Sequence, residues 1–233
     1  MTLNERTAAA GLRFLSATPV ELQSRIWICV GFEEIGRTLG DHPHLAFLYG
    51  GRDWLKVRDL HGAIAEEFEG AENILTRIHS ECLLGDAFGS TMCDCGDQMR
   101  LALEEMESQR SGIFLYLRQE GRGIGMRNKL DVLALQYGFC EGQRNRRRHS
   151  SDEANLAMGF AIDERRYHMA AGFLNALGVA SVQLITGNPD KIGDIEKAGI
   201  RVASAIDLWT NGVSNRAADE LKEKVARGYI YQR

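Results

Sequence analysis

Apolar positions recur along this chain in two rhythms. Residues 26–34 (IWICVGFEE) and 44–49 (HLAFLY) predict strands, and so does the stretch 72–79 that runs into a cysteine-rich loop. Residues 112–117 (GIFLYL) form an unbroken apolar run after a Ser-Gly turn, the pattern of a buried strand, and 181–186 (SVQLIT) predict another. Between these runs the period changes. In QMRLALEEMESQ, Met99, Leu101, Leu103 and Met106 mark the apolar face of a helix. Residues 124–137 (IGMRNKLDVLALQY) predict a second helix. After Asp163, the residues Met169, Ala170, Phe173, Leu174 and Leu177 predict a third, closed by Gly178. GNPDKIGDIEKAG reads as a turn and a fourth helix, with Pro189 in its first turn. Strands alternating with helices imply an α/β or mixed α+β architecture.

Composition narrows the function classes. The chain has 233 residues, 44% of them hydrophobic, enough to bury a substantial core. Its net charge of −4 excludes a global basic field for nucleic acid. No apolar run approaches the roughly 20 residues of a membrane span. The first 25 residues mix charged and small side chains and lack the apolar core of a signal peptide, so a cytoplasmic location is expected. Five cysteines are an odd number, and without an export signal they point to metal or catalysis rather than to disulfides. Cys29, within IWICV, is read as a buried core residue, and Cys140 is assigned no role.

Three thiols cluster: ten residues separate Cys82 from Cys93, and one separates Cys93 from Cys95. Thiolates select zinc or iron–sulfur chemistry over magnesium. Three sulfurs leave one zinc position open. His79, three residues upstream, can close it in a structural Cys3His site; otherwise water holds it and the metal is catalytic. Four further segments carry polar chemistry. Arg118-Gln119-Glu120-Gly121-Arg122-Gly123-Ile124-Gly125 is either an anion-approaching glycine loop or a simple tight turn. In Thr186-Gly187-Asn188-Pro189-Asp190-Lys191, Asn188 caps a helix whose N-terminus also suits a phosphate. Asp163 and Arg165 either place charge favourably at a helix start or form a held phosphate clamp. CEGQRNRRRHSSDE (140–153), with Arg144, Arg146, Arg147 and Arg148, is a solvated loop or an anion-gathering one. Together these features suggest a nucleotide acted on by a metal-bound water.

The ordered set RIHSEC, CDCG, RQEGRGIG, NKL, EANLAMGFAIDER and LITGNP resembles GTP cyclohydrolase II over roughly residues 27–200. That resemblance implies a central mixed sheet flanked by helices, with an N-terminal extension (1–25), a catalytic domain (26–204) and a C-terminal tail (205–233). About 75 residues precede the signature, too few for the dihydroxybutanone phosphate synthase domain fused to some relatives. It also implies one catalytic zinc per chain on Cys82, Cys93 and Cys95, with water in the fourth position attacking C8 of guanine. A second hydration then releases formate, at the start of riboflavin synthesis. His79 moves to the wall of the guanine pocket. Nucleotide contacts carry over onto Arg77, Ile78, His79, Ser80, Glu81, Gln98, Glu120, Gly121, Arg122, Thr186 and Lys191, with Ser151 in place of the usual threonine. The catalytic pair becomes Asp163 and Arg165. Its arginine is held to attack the α-phosphorus with loss of pyrophosphate; a purely electrostatic role is the alternative, because guanidinium is hard to deprotonate. Magnesium is expected on the triphosphate, and a homodimer is expected.

Two departures from the family pattern stand out. Leu133 replaces the tyrosine that lines the guanine site, so ring opening is expected to survive while deformylation is impaired, unless Tyr137, one helical turn later, compensates. QRNRRRHSS is an insertion before the EAN motif. Related purine nucleotides, and a catalytically silent nucleotide-binding regulator, remain competing expectations; a zinc-and-arginine nucleic-acid module does not fit the charge.

Overall fold

The computed structural model describes residues 1–36, 42–144, 147–207 and 215–230. In chain order the elements begin with α1 (Leu3–Ala9), β1 (Leu12–Leu22), β2 (Arg25–Glu34), β3 (His44–Tyr49), α2 (Leu60–Phe68) and β4 (Ile74–Ser80). The middle comprises α3 (Leu83–Asp86), α4 (Cys95–Gln109), β5 (Gly112–Leu117), α5 (Gly125–Tyr137), β6 (Phe139–Cys140), β7 (Gln143–Arg144) and α6 (Ser151–Ala157). The chain continues with α7 (His168–Leu177), β8 (Ser181–Ile185), α8 (Pro189–Lys197), β9 (Arg201–Ile206) and α9 (Asn215–Ala226).

One mixed sheet runs β1-β2-β3-β5-β4-β8-β9. From β1 to β5 neighbours are antiparallel; β5, β4, β8 and β9 are parallel. Strand alternation divides the core into two layers. Ile113, Leu115 and Leu117 of β5 face Phe68 of α2, Phe173 and Leu174 of α7, and Ile195 of α8. Phe114 joins Ala102 and Met106 of α4 on the opposite face, with Trp27 and Leu75. A strand covered on both faces reads as an unbroken apolar run, which is why GIFLYL was legible. Each fully buried large side chain contributes roughly 1.5–3 kcal/mol.

Topology positions the site. The crossover from β4 to β5 passes through α4 on one face, and the route from β5 to β8 ends in α7 on the other. Loops leaving neighbouring parallel strands in opposite directions open a crevice at the strands' carboxyl ends. Residues 81–95, 118–124 and 186–191 converge there.

Several expectations are corrected or refined. The segment 1–25 forms α1 and β1, and β1 pairs with β2 from Leu12↔Glu34 to Leu22↔Arg25. Cys29 is half-buried rather than core: alternation along β2 sends Ile28 and Val30 into one layer and leaves Cys29 on the face of Trp27, outside both buried clusters. Asp163 and Arg165 lie in irregular chain ahead of α7, whose N-cap is Tyr167, so they do not sit at a helix start. Within 140–153, β6 and β7 form a short hairpin and Ser150 caps α6 in a capping box with Glu153. Arg146 lies outside the described residues, as do 208–214 and 231–233 of the tail; the rest of the tail holds the end of β9 and α9.

Candidate active site

The three sulfurs meet because two chain segments fold against each other. Cys82 directly follows β4, Cys93 lies in the loop ahead of α4, and Cys95 opens that helix. Their Sγ atoms lie within 4.8 Å of one another, with Cys82 and Cys93 3.5 Å apart. Sulfurs sharing a tetrahedral zinc sit about 3.8 Å apart, so the spacing fits. Gly85 makes the approach possible: a Cβ there would fall 3.0 Å from Cys93 Sγ and 3.1 Å from Cys82 Sγ. The N-terminus of α4 favours negative charge at Cys95.

As thiols the three cannot all ionise. Cys82 takes the charge, its pKa lowered chiefly by hydrogen bonds from Cys93 and Cys95, with Lys129 adding to the effect. Cys93 is pushed up to about 12, mainly by its hydrogen bond to Cys82, and Cys95 rises well above the ordinary thiol value for the same kind of reason. A thiophilic divalent cation removes this conflict, and the donor set therefore fits zinc. Among the described residues no fourth histidine, cysteine or carboxylate joins the cluster. His79 is not placed as a ligand. It is buried between the rings of Phe114 and Tyr116, and its Nε2 lies 3.1 Å from Asp86 Oδ1. Asp86 also accepts from the Cys82 N–H (2.9 Å) and the Tyr116 hydroxyl (2.9 Å). Burial lowers the His79 pKa despite that carboxylate, which keeps the ring neutral and donating from Nε2.

The thiols open onto a cavity of about 610 Å³, within the usual range for a small-molecule site. Of the residues expected to bind nucleotide, Arg77, His79, Ser80, Glu81, Gln98, Glu120, Gly121, Arg122, Ser151, Thr186 and Lys191 line it, as do Leu133 and Arg165. Ile78 and Asp163 do not. Ile78 is a core side chain whose carbonyl accepts from Lys191 Nζ at 2.8 Å. Asp163 stands behind Arg165 and accepts from its Nε (2.8 Å) and Nη2. Burial disfavours the Arg165 charge, yet Tyr167, Asp163 and Tyr229 together hold its pKa well above the usual value.

The glycine loop does more than turn. Gly121 and Arg122 adopt left-handed φ values of 63° and 60°. The conformation at Arg122, unusual for a non-glycine residue, is held by Asp152 at 2.6 Å and by Glu164 N–H donating to the Arg122 carbonyl. The turn aims Glu120 inward, where it accepts from Leu83 N–H (2.7 Å) and Lys129 Nζ (2.6 Å). Lys129 Nζ also lies 3.2 Å from Cys82 Sγ. At the β8–α8 turn both readings coexist. Asn188 caps α8 through Asp190 N–H, while Thr186 and the buried Lys191 face the cavity.

Sequence reasoning gave no individual role to Lys129, Asp94, Asn155, Lys224 or Tyr229. Lys129 stood in the quoted NKL motif, but its contact with Cys82 arises only when α5 folds onto the thiol loop. Of the arginine-rich insertion, Arg148 lines the cavity; Arg147 is exposed and pairs loosely with Glu153. Tyr137 is absent from the lining; its hydroxyl contacts Met92 Sδ at 3.0 Å.

This is a cluster of three thiols able to hold a metal ion, at the carboxyl edge of a mixed α/β sheet, opening onto a cavity rich in guanidinium and ammonium groups. Residues 20–207 match the family described as GTP cyclohydrolase II. The chain is 39% identical over 182 residues to GTP cyclohydrolase-2 of Baumannia cicadellinicola, covering 78% of this chain and 77% of that protein. It is 49% identical over 140 residues to GTP cyclohydrolase-2 of Streptomyces coelicolor, covering 60% and 59%. With GTP cyclohydrolase-2 of Escherichia coli O9:H4 it shares 38% over 182 residues, covering 78% and 79%. The chain belongs to the GTP cyclohydrolase II family, a family of hydrolytic enzymes.

Proposed function

We propose that this protein opens the imidazole ring of GTP by hydrolysis at C8, using zinc on Cys82, Cys93 and Cys95. The observation that carries the reading is one cavity with the three-thiolate cradle in its wall and Arg165, braced by Asp163, elsewhere in the same lining. Bound in the cradle, zinc supplies a Lewis acid that makes water nucleophilic near neutral pH.

The chain's own residues supply binding and orientation. Lys129, beside the Cys82 sulfur, and the Asp86 carboxylate, which accepts from the Cys82 N–H, hold Cys82 in place. Neutral His79 and Glu81 border the cradle as part of the base pocket. Burial raises the Glu81 carboxyl, Arg118 opposes that, and Glu120 and Asp86 reinforce it. A carboxyl so perturbed is suited to exchanging protons with a purine. Arg77, Arg165, Thr186 and Lys191 receive the phosphates. Magnesium arrives with the triphosphate, whose oxygens it prefers to thiols. Arg165 acts as a charged clamp on the α-phosphate while water displaces pyrophosphate; its bidentate pairing opposes the proton loss that a nucleophilic arginine requires.

Leu133 favours a second reading of the product. It lines the cavity at the position where the family pattern carries tyrosine, and Tyr137 does not reach the lining. One water opens the ring; without a phenol to manage protons for the second, the formylamino group stays on the pyrimidine. The test is to incubate the zinc-loaded protein with GTP and magnesium, then assay formate, pyrophosphate and nucleotide mass. An opened ring retaining its formyl carbon supports this second reading. Stoichiometric formate retains only the ring-opening reading, and intact GTP overturns both.

A further inference from the structure

The C-terminal helix reaches the cavity from outside the family-matched region, which ends at residue 207. Asp219, Glu223, Lys224 and Tyr229 all line that cavity. The segment is anchored at three places. Lys224 Nζ lies 3.6 Å from Asp94 Oδ1, and Arg227 Nε lies 3.4 Å from Asp152 Oδ2. Ile230 N–H donates to the Gly187 carbonyl at 2.9 Å. Gly187 is shaped to this docking: a Cβ there would fall 2.3 Å from the Ile230 carbonyl oxygen. A glycine in the β8–α8 turn thus serves the tail as well as the turn.

The side chains delivered by this segment suit an anionic chain. Lys224 is 13% exposed and lines the same cavity as Arg77, Arg165 and Lys191. The other three act on Lys191: burial lowers its pKa most, followed by Arg77 and Arg165, with Lys224 adding to them and Asp163 opposing. Tyr229 brings its hydroxyl to 3.4 Å from Arg165 Nη2. Like charges gathered in a poorly solvated place are costly unless an anion answers them. Lys224 pairs with Asp94 Oδ1 at 3.6 Å, while Asp94 Oδ2 accepts from Gln98 at 2.6 Å. Asp219 and Glu223 keep the α9 wall from being uniformly positive.

We propose that α9 is part of the substrate site, with Lys224 contacting the polyphosphate beside Arg77, Arg165 and Lys191, and Tyr229 positioning Arg165. This rests on the nucleotide reading above. The test uses calorimetry on the zinc-loaded full chain, with inorganic tripolyphosphate and guanosine as separate probes. Lys224→Gln weakens tripolyphosphate binding about tenfold and leaves guanosine unchanged, as loss of one charge-assisted contact requires. Lys197→Gln, which removes a charge from the exposed face of α8, leaves both unchanged. In turnover, Tyr229→Phe lowers kcat more than it raises KM, whereas Lys224→Gln raises KM. Equal tripolyphosphate affinity in Lys224→Gln and the unaltered protein overturns the inference, as does an equal loss in Lys197→Gln. Failure to open GTP while the tripolyphosphate difference persists overturns the reaction reading alone.

Discussion

Replacing Gly85 with alanine tests the metal cradle by adding one methyl group. The new Cβ would lie 3.0 Å from Cys93 Sγ, 3.1 Å from Cys82 Sγ and 3.2 Å from Cys95 Cβ. Comfortable contacts between such atoms begin near 3.5 Å, so about 0.5 Å must be found at two sulfurs at once. In the metal-free protein the thiols can yield, and alanine returns up to about 1 kcal/mol of helix propensity in α3. With zinc bound they cannot, because Zn–S distances are fixed near 2.3 Å. Overpacking of this kind costs about 1–3 kcal/mol. The full cost falls on the loaded state, which corresponds to roughly a ten- to hundredfold loss of zinc affinity. Competition against a chromophoric chelator measures that loss, and thermal unfolding of the metal-free variant measures the reference. Undiminished affinity would refute the reasoning. Metal-free protein destabilised as much as the loaded form would show that the methyl group disrupts the fold rather than the cradle.

Three other outcomes are expected. Lys129→Met, which removes the ammonium 3.2 Å from Cys82 Sγ and 2.6 Å from Glu120, lowers zinc affinity about tenfold in the same competition. Leu133→Tyr places a phenol in the cavity wall and raises the ratio of formate to opened ring; an unchanged ratio counts against the role given to this position. His79 has a folded-state pKa below its unfolded value near 6.5, so the unfolded chain binds the extra proton first as pH falls. Its stabilising contribution is full above about pH 6.5 and is lost progressively below it. Unfolding midpoints measured from pH 7.5 to 5 should therefore fall more steeply for the unaltered protein than for His79→Gln, and parallel curves would contradict this.

The strands β3 and β5 were legible because covered faces select apolar side chains in both. Residues 112–117 and 44–49 match β5 and β3 end to end, and Gly178 closes α7 as its position suggested. The edge strands were not legible. β1 carries Arg13, Ser16, Pro19 and Glu21, and most of β9 is exposed, since a strand with one neighbour needs little apolar surface. α1, α2 and α9 were also missed; they are short or predominantly polar, and their apolar faces acquire meaning only against the sheet.

At the site, the spacing of Cys82, Cys93 and Cys95 already pointed to a thiol cluster, since it requires only a loop that folds back, and the three Sγ atoms do lie within 4.8 Å of one another. The motif order determined the family. Tertiary structure decided the rest. It made His79 a neutral, buried wall residue rather than a zinc ligand, because Asp86 and two aromatic rings claim it. It set Asp163 behind Arg165, and brought Lys129 to Cys82 across 47 residues and Lys224 to Asp94 from the far end of the chain. Such contacts join groups that are remote in sequence and lack any periodic pattern. Only the crossing of β4, β5 and β8 toward one edge of the sheet makes them neighbours.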